Sequence, residues 1–181
     1  MRTAGFVLVA MTLIFAMTLY ANAENQFGRL PGHFEENRGQ APADVKFLSK
    51  GLAYTLLFRG NDTTLQFDKD SLRVKFAGSN HSPRIIGESL LEGKSNYFVS
   101  NNPAHWKTNI PQFGQVKYES VYDGIDVLYH ANHSELEYDF IIRPGADPGR
   151  IAIAFENAQQ VRIDRNGELI IKKGKIGRAH V

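Results

Sequence analysis

The sequence predicts an all-β protein, an antiparallel domain of the β-sandwich kind, and three observations lead there. From Val45 onward apolar residues recur mainly at every second position; turn residues break the chain at intervals of about eight to twelve positions; and no stretch carries the apolar period of an amphipathic helix three turns long. A chain of 181 residues suits a single domain, and its 12 Phe and 7 Tyr supply bulk for a core.

The elements follow in order. Residues 1–23 place Arg2 ahead of an apolar run from Phe6 to Tyr20 and then the small-x-small triplet Ala21-Asn22-Ala23. That is the layout of a secretory signal peptide, with cleavage expected between Ala23 and Glu24. The alternative, an uncleaved anchor, has a run short for a full span, and no second long apolar stretch follows. The expected location is therefore secreted or cell-surface, with no transmembrane span after signal removal. The expected domain occupies residues 24–174.

Within it, "LAYTLLF" puts Leu52, Tyr54, Leu56 and Phe58 on one strand face, and "SLRVKFA" puts Leu72, Val74 and Phe76 opposite Arg73 and Lys75. "RIAIAF" repeats the scheme with Ile151, Ile153 and Phe155. The stretch 92–115, with four asparagines, two prolines and the only tryptophan, reads as a long structured loop. In "GIDVLYHANHSELEYDFII" a two-residue loop at Asn132-His133 sets Tyr129 opposite Leu136, Val127 opposite Tyr138 and Ile125 opposite Phe140, all on one face. "RPGADPGR" is a turn cluster. In "VRIDRNGELII" a loop at Arg165-Asn166-Gly167, with Gly167 left-handed, sets Ile163 opposite Leu169 and Val161 opposite Ile171.

Composition excludes several function classes. With no cysteine, disulfides, Cys-based metal sites, thiol nucleophiles and a lipoprotein anchor are all ruled out. Setting aside Arg2 and Arg178 leaves 19 of the 21 basic residues against 19 acidic ones, a neutral body unsuited to nucleic acid or an anionic membrane. There is no H-E-x-x-H, no G-x-S-x-G and no glycine-rich phosphate loop.

Two groups of side chains could carry chemistry. The expected register of the first hairpin puts Asp126 directly opposite Asp139, with Glu137 beside them, and like charges in that position repel. Calcium held by Asp126, Glu137 and Asp139 would offset the repulsion; so would Lys117, Arg143 or solvent. Glu135 and Asp139 could also be read as a paired-carboxylate hydrolase site, for which the sequence supplies no cleft. The second group is Asn96, Tyr97, Trp106 and Asn109, where rings could stack on a sugar and amides read its hydroxyls. The competing reading uses the asparagines for turns and buries Trp106 against the sheet.

Several segments in one order, "FEENRGQ", "VKFLSKG", "SNYFVSNNPAHWKTNIP", "VYDGIDVLYH", "LEYDFIIRPGADPGRIAIAFENA" and "GELII", resemble the uncharacterised N-terminal domain of secreted bacterial proteins with SBBP-type β-propeller repeats, and related cell-surface proteins of gliding bacteria. The likeness runs from about Phe34 to about Lys173. It implies a β-rich leader domain whose partners are the downstream repeats of the same protein, and it brings no catalytic residues. The last residues, "KIGRAHV" (175–181), resemble a translated sequencing-adapter oligonucleotide, so the sequence predicts a domain truncated at its C-terminus with an artefactual tail. The expected function is a non-enzymatic structural or interaction module without a required cofactor. The alternative is a carbohydrate-binding module with a structural calcium, its partner a glycan or surface protein.

Overall fold

The computed structural model describes residues 32–51, 54–67, 69–132, 135–165, 167, 169–173 and 176–179. The expected cleavage site Ala23-Glu24, Leu52 and Lys175 lie outside these residues. Thirteen strands are present among them: β1 (Phe34–Glu36), β2 (Val45–Lys50), β3 (Thr55–Arg59), β4 (Asp62–Gln66), β5 (Ser71–Phe76), β6 (Arg84–Tyr97), β7 (Lys107–Tyr122), β8 (Ile125–Asn132), β9 (Glu135–Ile142), β10 (Ile153–Glu156), β11 (Gln160–Ile163), β12 (Leu169–Lys173) and β13 (Ile176–Ala179). Among the described residues the helical content is two single 3₁₀ turns, Pro103–His105 and Pro148–Arg150. Among the described residues no helix is long and apolar enough to cross a membrane.

The all-β, antiparallel expectation holds, with the two layers built from one curled sheet. A first meander, β1 to β5 extended by β10, and a second, β6 to β9, are joined where β1 pairs with β7 (Phe34 with Phe113, Glu35 with Gln112). The ten-stranded sheet curls into a half-barrel, and β11, β12 and β13 form a separate three-stranded sheet.

Alternation makes the core. Leu56, Phe58, Leu72, Val74 and Phe76 of the first meander are buried against Tyr118, Val127, Tyr129, Tyr138 and Phe140 of the second. Phe58 meets Tyr129 edge-to-face at 5.1 Å, and Phe76 meets Phe140 at 6.0 Å. The buried phenols need partners for their hydroxyls and find them across the gap. Tyr118 donates to the Asp62 carbonyl at 2.9 Å, and Thr63 donates to the Tyr129 hydroxyl at 3.1 Å. Tyr122 is 3.0 Å from the Ala77 carbonyl and accepts from the Ala152 amide at 3.2 Å, tying β7 to the strand ends flanking β5 and β10.

Two expectations are corrected. The stretch 92–115 is mostly strand: β6 and β7 pair from Arg84–Glu119 to Tyr97–Lys107, and only residues 98–106 form the connection. Register shifts between Leu90 and Lys94 and between Ser95 and Tyr97, with left-handed Ser89 (φ 57) and Asn109 (φ 59), break the period-two pattern. Pro111 falls opposite Lys94, at one of these irregularities, where a missing N–H is tolerated.

The register of the first hairpin also differs. Tyr129 faces Tyr138, Val127 faces Phe140 and Ile125 faces Ile142, with Asn132 paired to Glu135; the expected loop residue His133 lies outside the described residues. Both registers keep the same alternate residues on the core face, so hydrophobic patterning fixed the face and left the pairing open.

In the second hairpin the expected pairs Ile163–Leu169 and Val161–Ile171 are observed, with Gly167 at φ +86. Burial is one-sided there: Ile171 is in the core whereas Ile163 is 70% exposed, because β12 packs on the barrel and β11 lies outside it.

Candidate functional site

In the second meander β6 and β7 pair as a two-stranded arm, with two groups of side chains at its tip and just below it. At the tip, Asn102 caps the 3₁₀ turn, its side chain accepting from the Ala104 amide at 3.0 Å. The turn brings Trp106 back against Phe98, edge-to-face at 5.0 Å. The Trp106 indole N–H donates to the Ser100 carbonyl at 3.0 Å, which fixes the ring. Trp106 is 38% exposed and Phe98 64%, and Val99 between them is exposed too. Large apolar side chains held in one geometry and left in water are the informative kind of surface.

The predicted ligand group is only partly assembled there. Tyr97 and Phe98 are adjacent, so alternation sends them to opposite faces. Phe98 joins the tip with Trp106, whereas Tyr97 turns toward the body. Asn96 and Asn109 face each other across the arm, the Asn96 side chain accepting from the left-handed Asn109 amide at 2.9 Å. Their role is to hold the strands together. Asn102 serves a turn while Asn96 bonds across the strands, and Trp106 is not buried against the sheet.

Just below the tip lies a cluster that sequence reasoning missed. Glu35 on β1 is 5% exposed and points across β7 at β6. Its carboxylate accepts from the Ser95 hydroxyl at 2.6 Å and the Tyr97 hydroxyl at 2.5 Å, with His33 Nε2 at 3.4 Å. Gln112 on β7 donates to Ser95 at 2.9 Å, and the Lys50 ammonium sits 4.2 Å from the centre of the Tyr97 ring. Burial alone would raise the Glu35 pKa, but the hydrogen bonds from His33, Ser95 and Tyr97 outweigh it and hold the group at about 2, from an ordinary 4.5. Burial and the adjacent carboxylate push Tyr97 upward. The cluster is a charged brace between the short β1 and the arm. No periodicity could have found it, because Glu35 and Tyr97 are brought together by pairing of distant strands.

The acidic face of the first hairpin is rearranged by the observed register. Asp126 is opposite Ile141, so the direct Asp126–Asp139 repulsion does not arise. Asp126 is 4% exposed; it accepts from the Ser120 amide at 2.7 Å and pairs with Arg143 at 3.3 Å. Arg143 was one of the basic residues expected to answer this charge. Glu137 and Asp139 flank His130, with Nδ1 3.7 Å from Glu137 and Nε2 3.2 Å from Asp139 outside hydrogen-bonding geometry. Lys117 pairs with Glu88 instead, at 3.2 Å. Among the described residues no group of three His, Cys, Asp or Glu side chains is arranged to hold a metal ion.

With this geometry in place, a family model described as "Domain of unknown function (DUF7948)" matches residues 34–176. No curated protein matches the chain, and no solved structure does.

Proposed function

The chain belongs to the DUF7948 family of domains of unknown function, and on that premise we propose that it is a non-catalytic structural or interaction module. The observation that supports this reading is the arm tip, where Phe98 and Trp106 are fixed against each other yet exposed, at the end of an arm braced from below by Glu35. The buried carboxylates favour the same reading. Glu35 is held far below the range in which it could exchange protons at neutral pH, and Asp126 is committed to Arg143 and a backbone amide. These groups stabilise the fold.

In this proposal the domain acts outside the cell, exported by the segment ending at Ala23, and presents its tip ahead of a β-propeller-type repeat region. The export layout of residues 1–23 and the ordered likeness from Phe34 to Lys173 support that context. The test compares binding of the parent and a Phe98→Ser/Trp106→Ser double variant to intact bacterial cells. Saturable binding by the parent, weakened at least tenfold in the double variant, is the expected result; equal binding by both would refute a role for the tip.

A second reading, carbohydrate binding, is favoured by one observation: Trp106 is exposed and oriented, as a stacking platform requires. Asn101, next to the cap, is also exposed. A glycan array probed with wild type and Trp106→Ala separates this reading from protein docking, since only a sugar platform gives array signals that vanish with the indole.

A further inference from the structure

We propose that the cavity between the β1–β2 connection and the base of β6 is a binding site for a small amphipathic carboxylate. It is about 650 Å³, within the ~300–1,000 Å³ usual for small-molecule sites. Its floor is apolar, formed by Val45, Phe47 and Phe113, the two rings packed edge-to-face at 5.7 Å. Phe113 reaches this position because residue 87 is glycine: a Cβ there would lie 2.5 Å from the ring.

The wall is built before any ligand arrives. The side chain of Asn37 organises the whole connection, its Nδ2 lying 2.8 Å from the Pro42 carbonyl and 2.9 Å from that of Val45. Its Oδ1 accepts from the amides of Gly39 at 3.0 Å and Ala41 at 3.1 Å. Gly39 adopts φ +99, a conformation glycine takes without strain. A loop locked by its own side chain costs little ordering entropy on binding.

Charge selects the ligand's polar end. Of the ionised residues lining the cavity, Glu36 is already answered by Arg38 at 3.1 Å, whereas Lys46 is exposed and forms no ion pair with any described residue. One uncompensated ammonium beside an apolar floor fits an aliphatic or aromatic body with a single carboxylate. This site is separate from the arm tip, so its failure and that of the tip are distinguishable.

The experiment titrates octanoate, and separately 1-octanol as the uncharged body, into isotopically labelled full-length chain while amide shifts are followed. Expected are saturable shifts for octanoate at Gly39, Val45, Phe47 and Gly87, with at least fivefold weaker binding of octanol. Lys46→Gln should weaken octanoate fivefold or more without changing octanol, Lys46→Arg should restore it, and Ala43→Trp, which fills the cavity from an exposed position, should abolish both. Absence of saturable shifts, shifts centred on Phe98 and Trp106, octanol binding as tightly as octanoate, or indifference of octanoate to Lys46→Gln would each overturn the proposal.

Discussion

Tyr97 on β6 donates its hydroxyl to the Glu35 carboxylate on β1 at 2.5 Å, reaching across β7. A strand of three residues thereby anchors the end of a strand of fourteen. Removing the acceptor leaves the half-buried Ser95 and Tyr97 hydroxyls short of a partner, which costs up to about 1–3 kcal/mol per group. Glu35→Ala is expected to lower stability by about 2–4 kcal/mol in urea unfolding, with loss of amide protection along β6. Protection of β6 unchanged from wild type would contradict the brace.

Glu35 also sets an acid limit. Its folded pKa of about 2 lies below the ordinary 4.5, so its contribution to stability is complete above about pH 4.5 and is lost as the pH falls toward 2. Urea midpoints at pH 6, 4 and 3 should fall more steeply for wild type than for Glu35→Gln. Parallel lines for the two proteins would mean that the neighbours do not lower the Glu35 pKa.

Trp106 is the sole tryptophan, so fluorescence reads the tip directly. Emission should be quenched by acrylamide in the folded protein, and Trp106→Ala should cost about 1 kcal/mol or less, the scale of one aromatic pair. A blue-shifted, quench-resistant emission would place the ring in the core and remove the tip as an interaction surface.

The calcium expectation is testable by melting. With Asp126 held by Arg143 and with Glu137 and Asp139 flanking His130, calcium and chelator should give the same midpoint. A rise of several degrees with calcium, abolished in Asp139→Asn, would restore a cation to this face. Asp126→Ala, by contrast, should destabilise by about 2–3 kcal/mol in either buffer, because the Ser120 amide and Arg143 lose their acceptor.

Overpacking tests the cavity floor. Gly87→Val should cost about 1–3 kcal/mol, since its Cβ would meet the Phe113 ring, and pairing the change with Phe113→Ala should recover part of the loss. Additive losses in the pair would show that the two residues do not touch.

The strand faces were legible in the sequence wherever alternation ran unbroken. Leu72, Val74 and Phe76 are buried as expected, while Arg73 and Lys75 stay partly exposed. The second hairpin was legible down to its pairs, because Gly167 marks the left-handed position and the alternative register mixes polar with apolar faces. The arm was not, since its bulges and left-handed Ser89 and Asn109 imitate a loop in one dimension. Of the candidate site, Trp106 was found from its rarity and its neighbours, but its exposure was not.

The sequence by itself determined an all-β antiparallel chain and which side of most strands faces the core, because side-chain direction along a strand is a local property with period two. The tertiary structure alone decided that the two meanders form one curled sheet, that Asp126 meets Arg143 and is opposite Ile141, and that Glu35 grips Tyr97. Each of these joins residues distant in the chain or depends on a register that patterning leaves degenerate, and only the packing of the whole chooses among the possibilities.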